Sequence, residues 1–239
     1  MKNLINKYFI GLASTIVLLA FTYGVVVGRY EVFPYSIVKY GKNTIFPTNT
    51  YAKPNSKTSN THRLFQHFSP NVDIVFIGDS ITNGGRWSEF FPTWKVANRG
   101  VGGDKASDIV RRLDSVISTL PSKAFIMVGI NDIHQAVSVS NILDNYSIII
   151  DTLKDENIDV YVQSTIQCEI TICGARYVGL VDKLNNGLAE LSLEKEVTFL
   201  HLGKLSEVGG LSTIYTTDGV HLTAEGYIYW VEALAPLLD

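Results

Sequence analysis

The chain has 239 residues, 46% of them hydrophobic, and a formal net charge of −3 at pH 7. That length and apolar content suit one full-sized core, while the mild acidity and lack of a basic cluster exclude nucleic acid as the main partner. Two cysteines without a second pair, and no His-x-x-x-His spacing, give no metal-ligand pattern, so neither a metal nor an organic cofactor is expected.

From Ile10 to Gly28 the chain carries no charge and is rich in Leu, Val, Ile, Ala and Phe. A helix of about 20 residues spans a bilayer core of ~30 Å, so this stretch predicts a transmembrane helix. Lys2 and Lys7 precede it, which favours a cytoplasmic N-terminus and an exported remainder. A cleaved signal peptide, leaving a secreted protein, is the alternative, but no clear Ala-x-Ala-like site follows the apolar stretch. Residues 1–29 therefore read as a membrane anchor. Residues 30–59, with Pro34, Pro47, Pro54 and many Asn, Thr, Ser and Lys, read as a linker, and 60–239 as the folded domain.

Within the domain a short helix over His62–Phe68 leads into apolar runs that read as strands: Val72–Ile77, Lys95–Ala97, Ala124–Val128, Asp159–Ser164 and Val197–His201. Between them, Asp104–Leu120 places Ile109, Val110, Leu113, Val116 and Ile117 at helical spacing, with Asp104 or Ser107 as its cap and Pro121 as its stop. Ser138–Glu156, Tyr177–Lys195 and Thr223–Leu238 give three more helices, the last capped by Thr223. Strands alternating with helices predict an α/β fold: a mostly parallel five-stranded sheet in a three-layer α/β/α sandwich.

Four segments carry chemistry. Gly78-Asp79-Ser80 follows the first strand, where a serine is exposed at the sheet edge that binds ligands in α/β folds. Asp218-Gly219-Val220-His221 lets one turn deliver an imidazole and the carboxylate that fixes its tautomer, which a serine hydroxyl needs to become a nucleophile. Asn98-Arg99-Gly100-Val101-Gly102-Gly103-Asp104 and Gly129-Ile130-Asn131-Asp132 supply backbone N–H groups and a side-chain amide suited to a developing oxyanion.

In this order the four segments resemble those of the SGNH, or GDSL-type, hydrolases, over most of the chain from about Asp73 to the C-terminus, with Ile81 where the nickname has Leu. The second and third segments look most like those of esterases related to platelet-activating-factor acetylhydrolase. The resemblance implies a flavodoxin-like strand order. It also implies Ser80 as nucleophile, His221 as base, Asp218 as the orienting partner, and an oxyanion hole of Ser80, Gly103 (Gly102 the alternative) and Asn131.

Each residue also has a plainer reading. Ser80 is a common helix cap, Asn131 a common turn residue, and the glycines around Gly103 each suit a bend. Asp79 reads as an acceptor supporting its turn. His221 has four competitors: His134, close after Asn131, is the serious one, while His62, His67 and His201 lack a carboxylate three residues before them. Arg111 and Arg112 read as the solvated side of a helix, and Trp87, Phe90 and Phe91 as packing. Cys168 and Cys173 either pair beside the site or stay as free thiols. The expected activity is a membrane-tethered, extracytoplasmic serine esterase acting on short acyl esters, acetyl on a glycan foremost. The alternatives are an O-acyltransferase with the same triad, a lysophospholipase-like esterase, and a non-catalytic glycan-binding module.

Overall fold

The computed structural model describes residues 56–238 together with Ala20, Thr22 and Tyr23. Apart from those three residues, the expected span at 10–28 lies outside the described residues, as does the linker up to residue 55. Among the described residues no helix is long and apolar enough to cross a membrane. Pro54–Asp239 forms one compact unit.

That unit opens with α1 (Ser56–His67), which begins inside the expected linker and six residues before the expected helix. Then come β1 (Ile74–Gly78), α2 (Ser80–Gly84), α3 (Trp87–Phe90) and β2 (Val96–Gly100). Next are α4 (Ala106–Val110), α5 (Asp114–Ile117), β3 (Lys123–Met127), α6 (Ile130–His134) and α7 (Val139–Asp155). The chain ends with β4 (Asp159–Gln163), α8 (Ile170–Cys173), α9 (Ala175–Glu194), β5 (Thr198–Leu200) and α10 (Ala224–Leu234).

The five strands are all parallel, in the order β2-β1-β3-β4-β5. This is the flavodoxin-like order, in which the direction of winding reverses between β1 and β3. Right-handed crossovers then send the segment after β1 to one face and the segments after β2, β3 and β4 to the other. The packing agrees: α4, α7 and α9 lie side by side, while Trp87 of α3 meets Trp230 of α10 with ring centroids 4.9 Å apart. On that second face Phe76, Phe125 and Tyr161 sit in register on β1, β3 and β4 and stack in a row. Every residue of β1 is buried, as a strand covered on both faces requires.

The single helix expected over 104–120 is instead two short ones, α4 and α5, joined through Arg111–Leu113. Arg112 causes the break. Its side chain turns inward, and the local hydrogen bonds tighten to a three-residue step, Arg112 N–H to Ile109 and Ser115 N–H to Arg112. Arg99 also donates to the Ser115 carbonyl, 3.2 Å away. The apolar face persists, with Ile109, Leu113 and Val116 buried. Neither Asp104 nor Ser107 caps it; the N–H groups of Lys105 and Ala106 donate to Asp108 and Asp132. The cap Thr223 does accept from Gly226 N–H, and α10 passes into a 3₁₀ turn over Ala235–Leu237.

Candidate active site

The site stands at the C-terminal edge of the sheet, where β1 ends on Gly78. A Cβ there would fall 2.3 Å from the Met127 carbonyl oxygen on β3, so only glycine lets the chain leave between its two neighbours. Asp79, fully buried, caps α2 by accepting the Ile81 N–H at 2.9 Å. Ser80 is thus the first helical residue and not the cap. Burial pushes the Asp79 carboxyl up to about 7. The other end of α2 is closed by Asn98, whose amide reaches the carbonyls of Thr82, Asn83 and Gly85 at 3.0–3.1 Å.

Ser80 Oγ lies 2.9 Å from His221 Nε2. His221 Nδ1 lies 2.7 Å from Asp218 Oδ2, and the other oxygen of Asp218 accepts the N–H groups of Val220 and His221. These bonds from His221, backbone first and ring second, hold the Asp218 carboxyl down at about 2. Asp218 is therefore a carboxylate at any pH where an imidazole titrates. His221 is half exposed, so a substrate reaches the pair from solvent.

Gly102 faces the serine: a Cβ on it would stand 3.8 Å from Ser80 Cβ. Gly103 holds φ +84°, a left-handed backbone that favours glycine, with open space where a side chain would be. Among the described residues neither Gly102 N–H nor Gly103 N–H has an acceptor. The Asn131 amide donates to the Asp104 carbonyl at 3.0 Å, which ties α6 to this loop and leaves its second hydrogen available.

Two supports were not foreseen from the sequence. Arg112, expected in solvent, is 4% exposed; its Nε meets Asp104 Oδ2 at 2.7 Å and its Nη2 meets the Gly78 carbonyl at 3.2 Å. Arg111 does lie at the surface, beside Asp108. Asp132, beside Asn131, holds the start of α4 through Ala106 N–H, and burial raises its carboxyl to about 6. An Asp eight residues before an Arg gives no periodic signal, so nothing in the pattern marked the pair.

His134 ends α6 with its Nε2 3.6 Å from Cys173 Sγ and its ring against Tyr177; the imidazole facing Ser80 is His221. Cys168 and Cys173 are paired in a disulfide. With His134 they form a close group of three metal-ligand types, but the bonded sulfurs offer no thiolate. Trp87 and Phe91 are buried packing, while Phe90 is part-exposed against Tyr227.

A parallel α/β sheet with serine, imidazole and carboxylate in line at its C-terminal edge defines the class of the serine hydrolases. The chain belongs to the GDSL-like lipase/acylhydrolase family, whose model matches residues 76–228. Among curated proteins it is similar to the N-acylneuraminate cytidylyltransferase of Streptococcus agalactiae, 24% identical over 162 residues, 66% of this chain. It spans little more than a third, 37%, of that protein's length. Among solved structures it is similar to a Streptococcus pneumonia chain provisionally described as a platelet activating factor. That match has a TM-score of 0.69 and 26% identity, covering 77% of this chain and 94% of the other. An acetyl xylan esterase shares the fold, with a TM-score of 0.62 and 23% identity, covering 70% of this chain and all (100%) of the other.

Proposed function

We propose that this chain is an exported, membrane-tethered esterase that removes short acyl groups, acetyl foremost, from sugar hydroxyls. The observation that carries the chemistry is the unbroken relay from Asp218 through His221 to Ser80, at 2.7 and 2.9 Å. Ser80 Oγ attacks the ester carbonyl while His221 Nε2 takes its proton and Asp218 stabilises the imidazolium. The oxyanion is held by the N–H groups of Ser80 and Gly103 and by the Asn131 amide. The Gly103 N–H belongs to the peptide unit that follows Gly102, the residue abutting Ser80. His221 returns the proton to the leaving alkoxide, and water, activated by the same ring, releases the acid from the acyl-serine.

A short acyl group does not need the apolar groove near the site. The apolar groove lined by Phe90, Tyr227, Ile228 and Val231 lies at the Gly84 end of α2. Four residue steps of helix separate Gly84 from Ser80, roughly 6 Å at 1.5 Å each. A two-carbon acyl group on Ser80 does not extend that far. The sugar side of the proposal draws on two similar proteins, an acetyl xylan esterase and an N-acylneuraminate cytidylyltransferase. Export and tethering rest on the charge-free stretch Ile10–Gly28 behind Lys2 and Lys7.

Hydrolysis of a p-nitrophenyl ester series from acetate to laurate by the detergent-solubilised full chain, beside Ser80→Ala, tests the reading. Turnover should peak at acetate and vanish in the variant. Unchanged turnover in folded Ser80→Ala would sink the mechanism, and a peak at long chains would replace the acetyl substrate with a lipid. Protease shaving of intact cells tests the address: the domain should be cut from outside.

A further inference from the structure

The turn carrying Asp218 and His221 is closed almost wholly on itself. Thr216 and Thr217 donate to the His221 carbonyl, Gly219 N–H donates to the Thr216 hydroxyl, and Asp218 accepts from residues 220 and 221. Among the described residues, one hydrogen bond besides that to Ser80 leads from residues 216–221 to the rest of the fold. It is Glu169 N–H to the Gly219 carbonyl, at 2.7 Å. The same segment packs on the turn from the side: a Cβ on Gly219 would lie 2.7 Å from Ile172 Cγ1, although Ile172 is otherwise exposed.

Glu169 and Ile172 both lie inside the small loop closed by the Cys168–Cys173 disulfide. Its first end is anchored: Cys168 is fully buried, its carbonyl accepts Leu211 N–H, and the neighbouring Gln167 donates to Val178 and Asp182. Its second end is at the rim, where Cys173 Sγ meets His134 on α6, the helix that carries Asn131. The loop therefore stands between the base-bearing turn and the amide-bearing helix; its main chain continues at Gly174 into α9, and the sulfur bridge ties that end back to the buried Cys168.

We propose that the Cys168–Cys173 disulfide is a positioning device for His221, so that ester hydrolysis depends on the bridge and is lost when it is reduced. The inference rests on His221 serving as the base. A dithiol is the co-reactant: one of its thiolates attacks Cys173 Sγ, and its second displaces the mixed disulfide. Cys168 and Cys173 leave as thiols with two electrons and two protons gained, and the reductant leaves as its cyclic disulfide. Freed at Cys173, the segment no longer fixes Gly219 laterally, and the imidazole drifts from Ser80. A misplacement of about 1 Å at a reacting group costs on the order of 10²-fold in rate.

The experiment is steady-state hydrolysis of p-nitrophenyl acetate by the full chain, oxidised and after dithiothreitol, with the melting temperature recorded alongside. Reduction should lower kcat roughly 10- to 100-fold with KM little changed, and reoxidation should restore it. C168A/C173A should show the low kcat from the start and ignore the reductant. I172A, a surface change that keeps the bridge, should lower kcat by a smaller factor. If C168A/C173A melts earlier yet keeps the oxidised wild-type kcat, the bridge is structural only and the proposal falls. Should that variant not fold, wild-type kcat unmoved by reduction while I172A is also fully active overturns it equally. Absence of any Ser80-dependent turnover in the oxidised chain would overturn both this inference and the functional reading; turnover indifferent to the bridge would overturn this one alone.

Discussion

Replacing Arg112 by Met tests the buried pair that holds the glycine-rich loop after β2. The guanidinium is 4% exposed and its partner Asp104 is 1% exposed, so removing the guanidinium leaves the carboxylate away from water, with only the His62 imidazole 3.7 Å from its Oδ2, a ring whose proton affinity burial lowers. Breaking such a pair costs about 3–5 kcal/mol. For a domain of this size 1 kcal/mol moves the melting temperature by about 2–4 °C, so Arg112→Met should melt roughly 6–20 °C below wild type near pH 7.5. The penalty must depend on pH in a known sense. An Asp104 stripped of its partner binds its proton more tightly folded than unfolded, so the variant is worst at high pH and recovers as pH falls and the carboxyl protonates. Removing both charges in Asp104→Asn/Arg112→Met should restore much of the loss, since no buried ion then remains. Thermal melts of the three proteins at pH 5.5 and 7.5 decide the matter. A single variant melting within about 2 °C of wild type at pH 7.5, or a double variant no better than the single, would refute this account.

Asn131→Ala should lower kcat on p-nitrophenyl acetate by about 10²–10³ with little change in melting temperature, because the lost bond to the Asp104 carbonyl lies on a part-buried loop. Asp79→Asn keeps an acceptor for Ile81 N–H but removes a carboxyl raised to about 7. A folded value above the unfolded one means the ionised acid destabilises above neutrality and is relieved as pH falls toward 4. Wild type should therefore gain on the variant between pH 8 and 4, by up to about 4 kcal/mol in urea titrations; parallel curves would refute it. Gly100→Ala would put a Cβ 2.3 Å from Asn83 N in the backbone of α2, so the helix carrying Ser80 must shift; kcat should fall along with about 1–3 kcal/mol of stability.

What was legible in the sequence was whatever is local. Asp218 and His221 share one turn, Ser80 follows a fully apolar strand, and five strands alternating with helices leave few topologies once crossovers are right-handed. The long-range partners left no such mark. Arg112 sits at a position whose neighbours Ile109, Leu113 and Val116 obey helical spacing, and periodicity assigned its side chain to solvent. In the fold it turns inward to the Gly78 carbonyl and Asp104, two acceptors that come together only once β1 and the loop after β2 are side by side. Asn98 is similar: it is a motif residue whose task, closing the C-terminal end of α2, depends on the parallel pairing of β1 with β2.

The same division separates the groups to which the proposed function gives the chemistry from those that hold them. Ser80, Gly103, Asn131 and the Asp218–His221 turn sit at the open edge of the sheet, with His221 half exposed. An edge open to substrate cannot bury enough apolar surface to fix side chains by packing alone. Rigidity must come from beneath, through groups that make contacts away from water: Asp79 on Ile81 N–H, Arg112 between Asp104 and Gly78, Asp132 on Ala106 N–H, and the bridge from Cys168 to Cys173. Buried carboxyls such as Asp79 and Asp132 carry a desolvation penalty visible in their raised proton affinity. Their place directly under the serine and the amide is where that penalty has a return, since an oxyanion donor or a base displaced by about 1 Å loses most of its effect.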